Sequence, residues 1–535
     1  MSSQTEKIDA GTAGLDHYKS RLPTWRYIVR EKLLPITRAE TPYVALLQER
    51  MRTPMLDTYF AMTANLGTHT CFMVGLPILF WCGNPFLGRS MTTSLAAGVY
   101  LSGFVKDLLC LPRPLSPPLT RITMSGSAAL EYGFPSSHST NAMSVTVFSV
   151  LMLRDPSTTI SREWSMYLQI LAYIYAFSIV LGRLYCGMHG FLDVVCGSLL
   201  GAAIAYGQFY FGPAKDDWMF SSTGQALLII TLVIFVAIRI HPEPADNCPC
   251  FDDSVAFCAV ILGIDAGGWH YARTQFADPS AWYPGTVPFS ISELGWPKVF
   301  ARIALGVVVV IVWRAVMKPL LLRGLPPVFR LVESLGMDLP RRYFKPASQY
   351  STVPDQLDDN DVIPSARDFP QLLTNLRRRR ALSVGPQSEA DAYEALAYRQ
   401  KRRRDSLLGV TSPDTITGAT KEPENDKHYF DRDSSEPSNS RKRSLSLEEF
   451  RAQMGASVDM LSPEATVSSR QVKDGTNAKL NTDDEKDKSE LFATIHKSRV
   501  RYDVEVITKL VVYAGIGWLA AEGNPILFHY VGLSV

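Results

Sequence analysis

Apolar residues in this chain gather in long runs. The runs recur through the first 320 residues and return once near the C-terminus. A bilayer core takes roughly 20 such residues in a helix. Runs at 66–82, 91–110, 138–153, 166–187, 193–212, 224–240, 254–271, 298–317 and 504–521 qualify by hydropathy. The stretch Ala226–Ile240 is apolar on every face. So many runs of this kind cannot share one soluble core. The pattern predicts an all-α fold, a polytopic membrane helical bundle of about eight to nine transmembrane helices.

The polar stretches divide the chain. Residues 1–65 read as a polar N-terminal segment, in which Trp25-Arg26-Tyr27-Ile28-Val29-Arg30 can form an interfacial amphipathic helix. Residues 66–320 form the transmembrane domain, and 504–521 the final transmembrane helix. Between them, 340–495 is rich in Ser, Asp, Glu, Lys, Arg and Pro and has few aromatics. Such a segment buries too little apolar surface to offset its ordering entropy, so a disordered hydrophilic insertion is expected. It carries basic runs at Arg377–Arg380 and Lys401–Arg404, with Ser383, Ser406 and Ser444 downstream of arginines. Cytosolic basophilic kinases are the partners this suggests; a plain solvated spacer fits equally well.

Charge and cysteine content change the picture little. The formal net charge of +2 gives no bulk attraction for nucleic acid. The eight cysteines fall mostly in or beside apolar runs, where cysteine acts as a small apolar residue. Cys248-Pro249-Cys250 is a loop C-x-C without a partner pair or histidine cluster, so no metal is expected. A thiol pair, a disulfide and ordinary loop cysteines all remain open there. The polar N-terminus lacks a short apolar core, so no cleavable signal peptide is expected.

Three clusters at helix ends carry the chemistry. Lys106 is followed seven residues on by Arg113-Pro114. Pro135-Ser136-Ser137-His138 opens the third run, and Arg183, His189 and Asp193 are spaced R-x5-H-x3-D around the fourth and fifth. Counting crossings through these runs puts all three clusters on one membrane face. Arginine's planar fork grips phosphate oxygens and lysine adds a point charge. Lys106, Arg113 and Arg183, with the hydroxyls of Ser136 and Ser137, are the expected phosphate-binding set. Asp193 can orient His189 as a nucleophile, and His138 can serve as general acid and then base. That inventory cuts a phosphate ester through a phosphohistidine with no metal or cofactor. Taken singly, each cluster has structural readings: a packed membrane histidine, a snorkelling cation, or an H-x3-D metal pair. Three cations crowding one site disfavour the metal pair.

These residues resemble the type 2 phosphatidic acid phosphatase superfamily, which also includes the vanadium haloperoxidases. Its pattern is K-x6-R-P, then P-S-G-H, then S-R-x5-H-x3-D. The chain departs from it twice, with Ser137 in place of glycine and Gly182 in place of serine. Ser137 is expected to restrict the loop backbone, and Gly182 to lose a hydroxyl contact. A narrower resemblance is to the sphingoid long-chain base-1-phosphate phosphatases of the endoplasmic reticulum. It rests on Leu130 to Ala142, on His241-Pro242-Glu243-Pro244, and on Cys248-Pro249-Cys250-Phe251-Asp252-Asp253-Ser254, in a layout like that of a fungal member. It implies hydrolysis of dihydrosphingosine, phytosphingosine or sphingosine 1-phosphate to the free base. A broader lipid phosphate or polyprenyl diphosphate phosphatase is the alternative.

A substrate of the narrower kind bears an ammonium near its phosphate, and Glu131 is the candidate partner for it. Its bland alternative is an ordinary loop acid pairing with Arg121 or solvent. Orientation is contradictory at this stage. Counting places the clusters and the insertion on one face, the kinase-like serines favour the cytosol, and the resemblance implies a lumenal site in a multi-pass endoplasmic reticulum protein. Loops on the opposite face carry Arg89, Arg154, Arg162, Lys215 and Arg273, which supports that face as cytosolic. A re-entrant or unrecognised segment between 271 and 340 would reconcile these readings.

Overall fold

A computed structural model describes residues 15–67, 69–115, 119–122, 131–156, 158, 160–336, 341–353 and 500–534. The helices are α1 (Leu15–Arg21), α2 (Thr24–Met51), α3 (Pro54–Leu66), α4 (His69–Trp81), α5 (Pro85–Leu109), α6 (Ser137–Arg154), α7 (Arg162–Tyr185), α8 (Phe191–Ser221), α9 (Gln225–Ile240), α10 (Cys250–Tyr271) and α11 (Ile291–Ser334). After a two-residue strand β1 (Phe344–Lys345) and its partner β2 (Arg501–Tyr502) come α12 (Val504–Trp518), a π turn and α13 (Asn524–Tyr530). Each of the nine apolar runs overlaps a helix, though the run at 66–82 straddles the break between α3 and α4 and that at 504–521 passes from α12 into the π turn. Residues 15–66, expected as a polar segment, fold into α1–α3. Residues 341–353 are also folded; the rest of the expected insertion, with Ser383, Ser406 and Ser444, lies outside the described residues.

The centre of the bundle is α5, α10 and α12. Leu95 and Val99 pack with Phe257, Val260, Ile264, Val512 and Ile516 in one buried cluster. Close backbone contact makes a second crossing, between α6 and α8. A methyl group at Gly201 would stand 2.1 Å from the Thr140 carbonyl, and one at Gly197 2.6 Å from that of Ser136. Small residues four apart let helices approach this closely. The crossing clamps the start of α8 against the start of α6, where two of the clusters lie.

The outer helices turn their apolar side chains outward. Trp164, Leu171 and Phe177 on α7, Leu199 and Phe211 on α8, Leu228 and Val233 on α9, and Phe300 and Val308 on α11 are exposed. Each such side chain left in water forgoes about 1.5–3 kcal/mol of burial energy, so this belt belongs against lipid. Among the described residues, α7, α8, α11 and the stretch Val504–Tyr530 are long and apolar enough to cross a membrane, and α9 is a shorter apolar helix. The chain is a multi-pass membrane protein.

Among the described residues, α11 is the one apolar helix between α10 and the insertion. Residues 272–290 hold turns and extended segments, and α11 then runs to Ser334 with one kink, at Gly295 (φ 73°). Both stems of the insertion return to the same place. β1 and β2 pair in parallel, with Phe344 opposite Arg501. Arg341 donates to the carbonyls of His241 (2.9 Å) and Pro242 (2.8 Å), and Arg501 to that of Cys248 (2.9 Å). The 241–250 loop beneath them packs on the C-terminal end of α5. The described residues between 271 and 336 thus hold no further apolar helix beside the kinked α11 that could reconcile the two orientations.

Candidate active site

Lys106 sits in the last turn of α5 and is 1% exposed. A helix C-terminus leaves carbonyls without intrahelical partners, and here α2 supplies them. Arg26 donates to the Leu108 carbonyl (2.8 Å) and to that of Asp107, and Arg30 to that of Cys110 (3.2 Å). Arg30 also lies over the Tyr18 ring, 3.5 Å from its centroid. The stretch Trp25–Arg30 thus contains the cap of the Lys106 helix as well as exposed apolar positions. The sequence signal for this was the i, i+4 spacing of two arginines on an otherwise mixed helix, which an interfacial helix shares.

Past the helix, Pro112 and Pro114 keep the chain extended, since proline disfavours helix in the residue before it. Arg113 between them is 4% exposed. It donates to the carbonyls of Met188 (2.8 Å) and Glu131 (3.0 Å), and its Nη1 lies 3.1 Å from His189 Nε2. The segment 131–135 lies against it. Gly133 N donates to the Leu111 carbonyl (2.9 Å), and a methyl group at Gly133 would meet the Pro112 carbonyl at 2.7 Å. Three loops therefore interlock around one guanidinium.

His189 is buried between α7 and α8. Its Nδ1 is 3.0 Å from the Gly133 carbonyl and 3.5 Å from Asp193 Oδ2. A carbonyl only accepts, so the ring proton sits on Nδ1 and Nε2 presents its lone pair to Arg113. Asp193 Oδ2 accepts from Gly190 N (2.9 Å), closing the first turn of α8. The ring therefore donates to the loop carbonyl, with Asp193 standing behind the same nitrogen. Burial, then Arg113, Arg183, Lys106 and His138, push the proton affinity of His189 well below the usual histidine range. It is neutral at pH 7. Glu40 of α2 accepts from Leu192 N (2.9 Å) at the same helix start, a contact no motif announced.

The second cluster opens α6. Ser136 is its N-cap, accepting from Ser139 N (3.3 Å), and Ser136 N donates to the Asp193 carbonyl (3.0 Å). Ser137 is the first helical residue and accepts from the Ser102 hydroxyl of α5 (3.2 Å). Its backbone is ordinary helix, so the substitution of glycine restricts nothing. His138 follows, with Gly67 against its ring. At Gly182 a side chain would stand 3.0 Å from the Phe60 ring, so packing occupies the space of the absent serine. Arg183 is buried beside it, and its Nε has no hydrogen-bond partner. The Glu131 carboxylate lies 2.6 Å from Lys106 Nζ and 3.7 Å from Arg113 Nη2, on the cations expected to hold phosphate.

A large apolar cavity lies along the same helices. It encloses about 1390 Å³ between α3, α6 and α7, lined by Tyr59, Phe148, Met152 and Ile179 among others. A methyl group at Gly67 would stand 3.3 Å from both the Ile179 and the His138 side chains, so one lining residue of the cavity lies near His138, which is itself outside the lining. Such a volume exceeds ordinary small-molecule pockets of about 300–1,000 Å³. The elements together offer a cationic cradle, a neutral imidazole, a second imidazole and a long apolar chamber.

Comparison with known proteins agrees with this chemistry. The family model described as PAP2 superfamily matches residues 87–217. A dihydrosphingosine 1-phosphate phosphatase of Schizosaccharomyces pombe is 41% identical over 61% of this chain and 75% of its own length. A dihydrosphingosine 1-phosphate phosphatase of Saccharomyces cerevisiae is 36% identical over 58% of this chain and 74% of its own. Sphingosine-1-phosphate phosphatase 1 of Rattus norvegicus is 27% identical over 55% and 68%. No solved structure matches the chain.

Proposed function

This chain belongs to the PAP2 superfamily and is a lipid phosphatase, and on that premise we propose that it hydrolyses sphingoid long-chain base 1-phosphates. The observation that carries the chemistry is the placement of His189, its Nδ1 on the Gly133 carbonyl and its Nε2 beside Arg113, inside a cradle of buried cations. Lys106, Arg113 and Arg183, with Ser136 and Ser137, bind the phosphate. Its oxygens draw the Arg113 guanidinium from His189 Nε2, which frees the lone pair. Nε2 attacks phosphorus and the bond to the alkoxide oxygen breaks, while His138 gives that oxygen a proton. Water then attacks the phosphohistidine and passes a proton to His138; phosphate leaves and His189 is restored. Asp193 and the Gly133 carbonyl hold the ring and favour its positive charge as the bond forms. No step requires a metal or cofactor.

The apolar cavity supports a single-chain lipid as substrate, with its tail in the cavity and its phosphate on the cations. Glu131 is the partner for the substrate ammonium. Phosphate displaces its carboxylate from Lys106, and the freed carboxylate remains within the headgroup's reach. The nine apolar runs all cross the bilayer, in the endoplasmic reticulum membrane, with the site facing the lumen. Because the stems of the insertion dock on the catalytic face, a lumenal site puts Ser383, Ser406 and Ser444 in the lumen too. Cytosolic kinases and a lumenal site then exclude each other, and we favour the site.

The test is phosphate release from dihydrosphingosine 1-phosphate without added magnesium, by wild type and His189→Ala. Phosphatidate and a polyprenyl diphosphate run alongside. Wild type should prefer the sphingoid substrate, and His189→Ala should lose about 10⁴-fold or more. Equal turnover of all three lipids would overturn the substrate assignment. Undiminished release by the variant would overturn the histidine mechanism.

A further inference from the structure

Behind Lys106 lies a second group of buried side chains that the phosphatase reaction does not use. Asp107, Cys248 and Cys250 bring a carboxylate oxygen and two thiol sulfurs within 4.8 Å of one another, all buried. Asp107 is fully buried, and its carboxylate meets no hydrogen-bond donor stronger than the Cys248 thiol. An ionised carboxylate in that position is unstable unless a cation meets it. His241 Nδ1 stands 3.7 Å from Asp107 Oδ2 and 3.2 Å from the Pro242 carbonyl, to which it donates, and its Nε2 is 3.2 Å from the Ser254 hydroxyl. For Nδ1 to meet a metal its proton must move to Nε2, where the Ser254 hydroxyl can accept it. Rings of Tyr100, Phe104 and Phe251 surround the imidazole and keep water out.

We propose that Asp107, Cys248, Cys250 and His241 bind a structural zinc ion that ties the C-terminal end of α5 to the 241–250 loop. Two thiolates, a carboxylate and an imidazole are a borderline-soft donor set of the kind that holds Zn²⁺ in closed tetrahedral sites. Binding displaces one proton from each thiol. The loaded site carries a net charge of −1. Arg341 and Arg501 lie close enough to weigh on Asp107, yet their own hydrogen bonds go to the carbonyls of His241, Pro242 and Cys248. They offset that charge without filling the site. The two sulfurs stand 2.7 Å apart in the structure. Thiolates sharing one zinc at about 2.3 Å each stand roughly 3.7 Å apart, so loading opens the pair by about 1 Å. A disulfide would close it instead, and would leave the Asp107 carboxylate without a partner. The ion sits one residue along α5 from Lys106, and its role is to fix the backbone that carries Lys106.

The experiment is elemental analysis of the full chain purified in lipid nanodiscs without a histidine tag, with thiol titration after unfolding. Wild type and His189→Ala should each hold about one zinc per chain. Cys248→Ser and Asp107→Asn should hold less than about a tenth of that. A zinc chelator should lower the melting temperature of wild type and leave that of Cys248→Ser unmoved. Metal-free wild type with both thiols titratable would overturn the proposal. So would a metal-free peptide spanning 248–250 that is lighter by two hydrogens, which is the disulfide. Wild-type metal content decides even where a variant fails to fold.

Discussion

Charges are buried at both ends of this bundle, and the two ends balance them differently. At the end away from the site, Arg89 donates to Asp265, and Lys215 lies 2.9 Å from the same carboxylate. Asp216 accepts from the Tyr283 hydroxyl at 2.6 Å and lies 3.8 Å from Lys215. Two cations meet two carboxylates there. At the site end, Lys106 and Arg113 share the half-buried Glu131 and Arg183 is buried near them, while Asp193 is held by its own helix start. A matched set can be removed from water because each charge carries its counterion with it. An unmatched cationic set stores unfavourable energy that only an arriving anion relieves. Buried charge alone therefore does not mark function in this protein; the imbalance does.

The largest expected effect breaks the matched end. Asp265→Asn leaves Arg89 buried without its counterion and should lower stability by about 3–5 kcal/mol. Thermal unfolding in nanodiscs measures this, and phosphate release per folded molecule should be unchanged. Arg183→Ala does the opposite. It removes one unmatched cation, so the melting temperature should hold or rise, while kcat/KM should fall about 10²- to 10³-fold. If Arg183→Ala unfolds the protein and Asp265→Asn slows the reaction, the contrast between the two ends is wrong.

The next effect is smaller and depends on pH. His189 is held below the usual histidine range by burial first and Arg113 second. Its folded proton affinity is depressed, so its contribution to stability is complete above about pH 6.5 and is lost as pH falls below that. The nucleophile likewise remains neutral down through that range. Substrate phosphate titrates near pH 6 itself, so the informative quantity is a difference. Arg113→Ala should move the acid limb of kcat/KM upward relative to wild type on the same substrate. An unmoved limb would mean that Arg113 does not set the proton affinity of His189.

The sequence was legible where periodicity or spacing carried the information. The nine apolar runs all overlap helices, and the three clusters meet because their spacing at run ends obliges them to share a face. What could not be read were partners distant in sequence. Arg26 and Arg30 cap α5 across some eighty residues, and nothing local distinguishes a capping arginine from an interfacial one. Phe60 fills the place of the serine absent at 182, a packing fact without a motif. The stems of the insertion were misjudged for the same reason. Residues 341–353 look polar and loop-like, yet Arg341 and Phe344 fold because residue 501 and the 241–250 loop are there to receive them.

Glu131 is the residue through which the unmatched end can be sharpened furthest, because substitution has two effects of opposite sign. Its carboxylate rests on Lys106 and Arg113, so it competes with every incoming phosphate, whatever else the lipid carries. Glu131→Gln removes that competitor, and amine-free lipid phosphates should gain in kcat/KM. An amine-bearing substrate gains the same relief and loses its counterion, and a partly exposed pair of this kind is worth at most about 1 kcal/mol. The ratio of amine-bearing to amine-free turnover should therefore drop by up to about fivefold, while absolute turnover of phosphatidate rises. Competition assays with the two lipids in one vesicle read this ratio directly. If both substrates gain equally, Glu131 is a placeholder on the cations and selectivity comes from the apolar cavity alone. If both lose, the carboxylate positions Lys106, and the surplus of cations at this end is smaller than the distances suggest.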